Sequence, residues 1–337
     1  MQVIQKREET PDDLAGRFAE YHNDIEQVRS EIGKAVVGQE RVVTDFMIAL
    51  VANGHVLIEG VPGLAKTLLI RTLSQVMGCK YSRIQFTPDL LPSDILGITT
   101  YEKERGFYVL KGPIFSNFVL ADEINRAPPK VQSALLEVMQ EKQVTIGREG
   151  FQVDPPFFVL ATQNPLENLG TYPLPEAQMD RFLFKIYIGY PTLKEEQEIL
   201  TKNITSRKFE SIDVKPVMGK EKILKMQEDV QTVYCDEKIE SYIVRIIDAT
   251  RNPDKYSIKL GRFLEFGASP RGSIGIYIAS KADAMLEGKT YVTPQNVKNV
   301  ALNVLRHRVS INYEGQAEDI TPDMVIKEVL DTVPVHG

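Results

Sequence analysis

Several residue types are scarce in this chain of 337 residues, and the scarcity of cysteine excludes two kinds of site. The chain has no tryptophan, four histidines and only two cysteines, Cys79 and Cys235, which lie far apart without a CxxC spacing. The cysteines therefore form neither a disulfide framework nor a set of metal ligands. We expect both to be free thiols in a reducing compartment.

Long hydrophobic runs and a large excess of one charge are also missing. No apolar stretch approaches the roughly 20 residues that a membrane-spanning helix needs, and the first segment, MQVIQKREETPDD, contains no apolar signal core. A total of 40 basic and 46 acidic residues gives a net charge of −6. The electrostatic field of a negatively charged protein repels nucleic acid. We expect a cytoplasmic protein without membrane insertion, for which nucleic acid is a disfavoured partner.

The order of the predicted elements indicates two main domains. Segment 1–35 carries one amphipathic helix that begins at Thr10-Pro11. Residues 36–191 alternate short apolar strands with helices, the pattern of an α/β domain with a parallel five-stranded sheet covered on both faces. Residues 192–220 form a linker, and 221–337 show helical patterns only, which predicts a small all-helical lid. The strands are predicted at His55–Glu59, Tyr81–Phe86, Phe118–Asp122, Phe157–Thr162 and Phe182–Ile188.

Two further stretches of the α/β domain are predicted as antiparallel hairpins. One lies within 97–112 and turns at Glu104–Gly106, and the other lies within 143–154 and turns at Gly147–Gly150. In the lid, three helices are predicted to begin at a capping residue followed by proline. These are Ser269-Pro270, Thr293-Pro294 and Thr321-Pro322.

Residues 60–67, Gly-Val-Pro-Gly-Leu-Ala-Lys-Thr, follow a predicted strand and open a predicted helix. This is the context of a P-loop, whose backbone amides face the β-phosphate of a nucleotide. In that role Lys66 contacts the β- and γ-phosphates, and Thr67 ligates Mg²⁺. Ala65 replaces the usual second glycine, and its Cβ narrows the allowed backbone angles. By this motif alone, a chance Gly-Lys loop before a helix stays open.

A second motif supports the phosphate site. Phe118–Glu123 is an apolar strand that ends in paired carboxylates, the form of a Walker B strand. Asp122 can hold Mg²⁺ through its water shell, because a hard cation prefers carboxylate oxygen. Glu123 can orient and activate the attacking water. A solvated turn would also carry two acids, but the P-loop upstream argues against it.

Three further polar residues are candidates for the chemistry. Asn164 follows a predicted strand, where an amide can position the nucleophilic water, although an Asn-Pro turn is an alternative. Arg181 precedes the last strand and can stabilise transition-state charge in a neighbouring subunit, with a surface salt bridge as the alternative. Arg271 lies in the first turn of a helix, where a cation is disfavoured. That position suggests an anionic partner, either a nucleotide phosphate or a surface carboxylate.

With these residues assembled, the chain resembles the MoxR family of AAA+ ATPases from about Val36 to its last helices. The resemblance implies a P-loop AAA+ fold with a lid, ATP and Mg²⁺ as cofactors, and ATPase activity. The matching segments are GVPGLAKT (60–67), TPDLLPSDILG (87–97), GPIF (112–115), LADEINRAPPKVQSALLEVMQE (120–141), ATQNP (161–165), TYPLPEAQMDRF (171–182) and GASPRGS (267–273).

The resemblance also implies roles for single residues. Asn164 corresponds to sensor 1, Arg181 to the arginine finger and Arg271 to sensor 2. The first hairpin corresponds to the helix-2 insert, and the second precedes sensor 1. The implied nucleotide-binding residues are Val37, Gly38, Gly60, Val61, Pro62, Gly63, Leu64, Ala65, Lys66, Thr67 and Leu68, and the implied metal-site residues are Thr67 and Asp122.

As a member of such a family the protein is expected to form a homo-oligomeric ring, a hexamer, that remodels or matures a protein client. The expected client is a von Willebrand A-domain protein, and metal insertion is one form of that maturation. Three alternatives stay open. They are a magnesium-chelatase-like ATPase subunit, a scaffold that binds ATP without turnover, and a nucleic-acid motor. The retention of all the candidate catalytic residues argues against the scaffold, namely Lys66, Asp122, Glu123, Asn164 and Arg181. The charge-balanced Glu102–Arg105 of the insert disfavours the motor.

Overall fold

The structure is a computed structural model that describes residues 11–61, 63–104, 106–164, 170–202 and 212–335. Within these ranges an α/β domain precedes a mostly helical lid. Three features predicted from the sequence lie outside the described residues. These are the helix cap at Thr10, Pro62 of the P-loop, and Arg105 of the first hairpin turn.

Nine strands build the described part of the α/β domain. In chain order they are β1 (Val56–Glu59), β2 (Tyr81–Gln85), β3 (Gly97–Glu102), β4 (Gly106–Lys111), β5 (Phe118–Asp122), β6 (Gln143–Ile146), β7 (Glu149–Gln152), β8 (Phe158–Gln163) and β9 (Phe184–Tyr187). Five of them form one parallel sheet in the order β2-β5-β8-β1-β9. The pairs β3–β4 and β6–β7 are antiparallel hairpins. The five-stranded parallel sheet and both hairpins are confirmed.

Helices cover both faces of the sheet and form most of the lid. They are α1 (Pro11–Gly33), α2 (Glu40–Val51), α3 (Lys66–Val76), α4 (Pro92–Leu96), α5 (Pro129–Glu141), α6 (Glu176–Met179), α7 (Leu193–Lys202), α8 (Lys220–Asp229), α9 (Glu237–Arg251), α10 (Pro270–Leu286), α11 (Pro294–Leu305), α12 (Tyr313–Ala317) and α13 (Pro322–Thr332). Because helices pack on both faces, the central strands β5 and β8 are almost completely buried.

The lid helices begin where the sequence predicts. The side chains of Ser269, Thr293 and Thr321 each accept a hydrogen bond from a backbone N–H of the helix that follows. One feature of the lid was missed. Strands β10 (Leu264–Phe266) and β11 (Ser310–Ile311) form a small antiparallel pair, which is too short to show the alternation by which a strand is recognised.

The first helix joins the two domains. The apolar stripe of α1 is buried against α3 of the α/β domain and α10 of the lid. Its buried members are Phe18, Tyr21, Ile25, Val28 and Ile32. The segment 192–220, which the sequence predicts as a linker, contains α7 near its start, and its Val217 N–H donates to the Val76 carbonyl at 2.8 Å.

The two cysteines are free and half-buried. Burial raises the pKa of both the Cys79 and the Cys235 thiol to about 11, which suppresses the reactive thiolate near neutral pH. Among the described residues, no group of three or more His, Cys, Asp or Glu side chains forms a metal cluster. No described helix combines the length and the apolar character that crossing a bilayer requires.

Candidate nucleotide site

The P-loop connects the carboxyl end of β1 to the start of α3. Ala65 adopts a left-handed backbone with φ 54° and ψ 22°, and Gly63 has φ 88°. A left-handed alanine costs about 1 kcal/mol relative to glycine. A left-handed residue next to a right-handed one turns successive N–H groups towards one point and creates an anion-binding concavity. The alanine therefore narrows the choice of backbone angles, as predicted, without changing the conformation that the loop needs.

Two further contacts shape this loop. A Cβ on Gly60 would lie 2.6 Å from the Ile188 carbonyl oxygen, so only glycine fits there. The Lys66 ammonium folds back over the loop and donates to the Gly60 carbonyl at 2.7 Å. Burial lowers the pKa of Lys66, and the carboxylates of Asp122 and Glu123 oppose this shift. The lysine thus places a positive charge within the loop, where a phosphate chain can replace a carbonyl as its partner.

A cavity of about 290 Å³ adjoins the P-loop. Gly38 beside it has φ 70°, and a side chain on it would overlap the Glu195 carboxylate. The size and the apolar walls suit a purine base. Of the predicted nucleotide-binding residues, Val37, Gly63, Leu64, Ala65 and Leu68 line this cavity. Gly60, Val61, Lys66 and Thr67 do not line it and belong to the loop and the first turn of α3.

The paired carboxylates of the Walker B strand are held by a threonine of the neighbouring strand. The Thr162 hydroxyl accepts from the Glu123 N–H at 2.8 Å and donates to Asp122 Oδ1 at 2.7 Å. Glu123 adopts left-handed angles, φ 56° and ψ 51°. One hydroxyl on β8 therefore fixes the turn at the end of β5. Thr162 could not be identified from the sequence, because nothing in the sequence reveals which strand lies beside β5.

Three further side chains hold the two carboxylates. From β2, Arg83 donates to Asp122 Oδ2 from Nη2 at 2.7 Å and from Nε at 3.1 Å. Gln85 donates to Glu123 Oε2 at 2.8 Å, and Arg126 donates to the same oxygen at 2.9 Å. A water molecule that approaches Oε2 must compete with both donors. The sequence analysis did not find Arg83 or Gln85, because the pairing of β2 with β5 that places them there cannot be derived from the sequence.

Asn164 completes the cluster at the carboxyl edge of the sheet. It follows β8, which lies between β1 with its P-loop and β5 with its acids, and it is buried. The carboxyl ends of three adjacent parallel strands therefore bring Lys66, Glu123 and Asn164 to one edge. This is the place where open α/β sheets bind ligands.

Arg181 and Arg271 lie together, but at the opposite edge of the sheet. Both line a cavity of about 410 Å³ beside His55, which precedes β1, and Lys142, which follows α5. The P-loop follows the other end of β1, and a four-residue strand spans about 13 Å. Neither arginine therefore faces the P-loop of its own chain. We call this cavity the amino-edge cavity.

A buried arginine of the lid fixes the segment that carries Arg181. Arg308 Nε donates to Asp180 Oδ1 at 2.7 Å, and Nη2 donates to the carbonyls of Asp180 and Phe182 at 3.0 and 2.7 Å. Arg181 Nη1 donates to the Leu136 carbonyl of α5 at 3.1 Å. Arg271 is half exposed, and its Nη1 lies 3.4 Å from Asp180 Oδ2. Asp180 is therefore the carboxylate that could serve as the anionic partner of Arg271 in place of a nucleotide phosphate. The sequence did not single out Arg308.

Comparisons with known proteins agree with this geometry. Residues 55–184 match the ATPase family associated with various cellular activities (AAA), and residues 261–329 match the AAA lid domain. Chaperone MoxR1 of Mycobacterium tuberculosis is 46% identical over 97% of this chain and 86% of its own length. Protein MoxR of Methylorubrum extorquens is 32% identical over 90% and 93%.

A solved structure, that of a "putative ATPase" from Cytophaga hutchinsonii, superimposes with a TM-score of 0.88 at 45% identity. The match covers 95% of this chain and 97% of that one. This solved structure therefore shares both domains and their arrangement over nearly the whole chain. The chain belongs to the MoxR family of AAA+ ATPases.

Proposed function

We propose that this protein binds Mg-ATP on its P-loop and hydrolyses it at the interfaces between identical subunits of a hexameric ring. One observation carries the proposal. The P-loop and the Walker B acids lie at the carboxyl edge of the sheet, whereas Arg181 and Arg271 lie at the amino edge. An interface that joins these two different surfaces of identical copies is heterologous, and such an interface produces a ring when the rotation between neighbouring subunits closes.

Each residue has a role in this proposal. Lys66 binds the phosphate chain, and Thr67 and Asp122 hold Mg²⁺, which neutralises phosphate charge when it is bound. Glu123 orients and deprotonates the attacking water, and Asn164 positions it. Both arginines of the amino-edge cavity act on the nucleotide of the adjacent subunit. Arg271 would then bind a phosphate in place of the Asp180 carboxylate, because Asp180 is already paired with the buried Arg308.

We further propose that ATP turnover drives remodelling of a protein client, with a von Willebrand A-domain protein as the expected partner, in the cytoplasm. The relative MoxR1 is named a chaperone, which supports a protein as the client. The two free thiols support the reducing environment of the cytoplasm. The β3–β4 hairpin exposes apolar side chains on both of its faces. Ile98 and Leu110 form one exposed pair, and Tyr101 and Phe107 form the other. Exposed apolar surface of this kind marks a protein interface.

Hydrolysis per subunit is expected to rise with protein concentration. A single subunit lacks the two arginines at its own P-loop, so its transition state is incompletely stabilised until subunits meet. Phosphate release is measured over a dilution series, and light scattering reports the assembly state of each sample. A specific activity that stays constant down to samples that contain only monomers would refute the inter-subunit site.

Replacing the exposed aromatic pair of the insert, Tyr101→Ser with Phe107→Ser, is expected to spare basal hydrolysis and to reduce stimulation by a client about fivefold or more. The hairpin carries none of the residues that hold nucleotide, which explains the unchanged basal rate. The client is first captured from native cells with a Glu123→Gln trap in the presence of ATP. Tyr313→Ser, at an equally exposed aromatic residue of the lid, is the matched control. Salt-sensitive binding of single-stranded DNA that the double variant abolishes would favour a nucleic-acid motor instead.

A further inference from the structure

A lysine at an unfavourable backbone position lines the amino-edge cavity beside the two arginines. Lys142 directly follows α5 and adopts φ 54° and ψ 23°. Glycine is the usual residue with these angles at the end of a helix, because any Cβ there is strained. A residue that is locally disfavoured but occupies a cavity among functional residues points to a role for its side chain.

The Lys142 side chain turns inward rather than into solvent. Its Nζ lies 3.0 Å from His55 Nε2 and 5.3 Å from the centre of the Phe157 ring. His55 Nδ1 accepts from the Val159 N–H at 3.0 Å, so the proton of this neutral imidazole is on Nε2, which lies 3.2 Å from the Met139 carbonyl. Two donors therefore face each other at the short contact between Lys142 and His55. The ammonium has no hydrogen-bond acceptor in this contact.

The charges around the amino-edge cavity are unbalanced. Of the described residues that line it, Lys142, Arg181, Arg271 and Arg308 are cationic, and Asp180 is the only acid. Asp180 and the buried Arg308 neutralise each other at 2.7 Å. Three positive side chains thus remain beside about 410 Å³ of space. Burial lowers the pKa of Lys142 to about 8, so the ammonium is still protonated at neutral pH. A cavity of this kind suits an anion with several negative charges.

We propose that Lys142 is a third cationic contact, with Arg181 and Arg271, for the phosphate chain of the ATP that the adjacent subunit holds. This inference rests on the proposed inter-subunit site, and it adds a residue to it. The position of α5 supports the assignment. The carbonyl of Leu136, in the turn before the last turn of α5, accepts a hydrogen bond from Arg181. The C-terminal part of α5 therefore lies beside both Arg181 and Lys142, which line the same cavity. An approaching phosphate would give the ammonium a hydrogen-bond acceptor in place of the contact with His55.

The Lys142→Met variant tests the contact, because it keeps the length of the side chain and removes its charge. We expect kcat to fall about tenfold or more and the Kd of ATP to change less than twofold, since the P-loop of each subunit stays intact. Lys142→Arg is expected to restore most of the activity. Lys327→Met, at an exposed lysine of the lid, controls for loss of a surface charge. A Lys142→Met enzyme with the kcat of the parent would overturn the proposal.

The Lys142→Gly variant separates a phosphate contact from a structural role. Glycine relieves the left-handed backbone and removes a desolvated charge, so the variant should melt at the temperature of the parent or above it, yet lose activity as Lys142→Met does. If Lys142 only stabilised the fold, Lys142→Gly would melt at a lower temperature and Lys142→Arg would not restore kcat.

Mixing variants tests whether the lysine acts on the adjacent subunit. Lys142→Met is combined with an equal amount of Lys66→Ala, whose P-loop is expected not to bind ATP but whose Lys142 is intact. About a quarter of the interfaces in randomly mixed rings then pair an intact P-loop with an intact lysine, and activity should rise above that of Lys142→Met alone. A parallel mixture with Arg181→Ala is the reference. If only the arginine mixture recovers, the role of Lys142 is wrong while the inter-subunit site stands. If neither recovers in co-assembled rings, both proposals fail.

Discussion

A Lys66→Ala variant is expected to lose ATP binding, whereas Glu123→Gln should bind ATP and lose turnover by about 10²-fold or more. The Lys66 ammonium is held within the P-loop by the Gly60 carbonyl, so its removal deletes the main positive charge at the phosphates. Glutamine in place of Glu123 keeps an acceptor for the Gln85 and Arg126 side chains but cannot deprotonate water. Calorimetric titration with ATP and phosphate release measure the two effects separately.

A matched control for this pair lies on α5. Glu137 is exposed and belongs neither to the P-loop nor to the Walker B strand, so Glu137→Gln should change neither binding nor turnover. A Glu123→Gln enzyme that hydrolysed ATP at nearly the rate of the parent would show that Glu123 is not the base.

Arg181→Ala is expected to lower kcat about 10³-fold while leaving the affinity for ATP nearly unchanged. Arg181 lies at the amino edge of the sheet and has no access to the P-loop of its own chain. Its loss should therefore remove an interaction that is made mainly in the transition state. Arg262→Ala, at an exposed arginine of the lid with a loose ion pair at 3.9 Å, is the control. A raised Kd with an unchanged kcat would contradict the assignment.

Much of the fold could be predicted because it depends on local patterns. The five short apolar runs correspond to the five parallel strands, with ends that differ by at most two residues. The capping residues before proline marked three lid helices correctly. The order of the strands could not be predicted, because insertion of β8 between β1 and β5 is a tertiary arrangement. The strand pair β10–β11 is too short for its pattern to be detected.

The candidate site divides in the same way. The P-loop and the Walker B acids are contiguous in the chain, so their spacing alone indicates them. Thr162, which joins Asp122 to Glu123, acts through the register of adjacent strands and leaves no signal in the sequence. Lys142 resembles an ordinary charged residue at the end of a helix until its left-handed backbone and its half-buried side chain are seen.

For the two arginines, the structure adds a position to a prediction made from the sequence. The sequence indicates Arg181 and Arg271 as candidates for contact with phosphate, one before a strand and one at the start of a helix. It does not reveal that both line one cavity, at the edge of the sheet away from the P-loop. That arrangement is the reason for proposing that the site is shared between subunits.

Mixing two inactive variants, Arg181→Ala and Lys66→Ala, tests this shared site most directly. Each ring that contains both has interfaces at which the intact P-loop of the first variant meets the intact Arg181 of the second. Hydrolysis is measured before and after mixing at equal concentration. One variant carries a tag that increases its mass, so that light scattering can confirm co-assembly. Activity should reappear on mixing, at about a quarter of the parent rate for random assembly. Co-assembled mixtures that stay inactive would contradict the shared site and would remove Arg181 from the finger role.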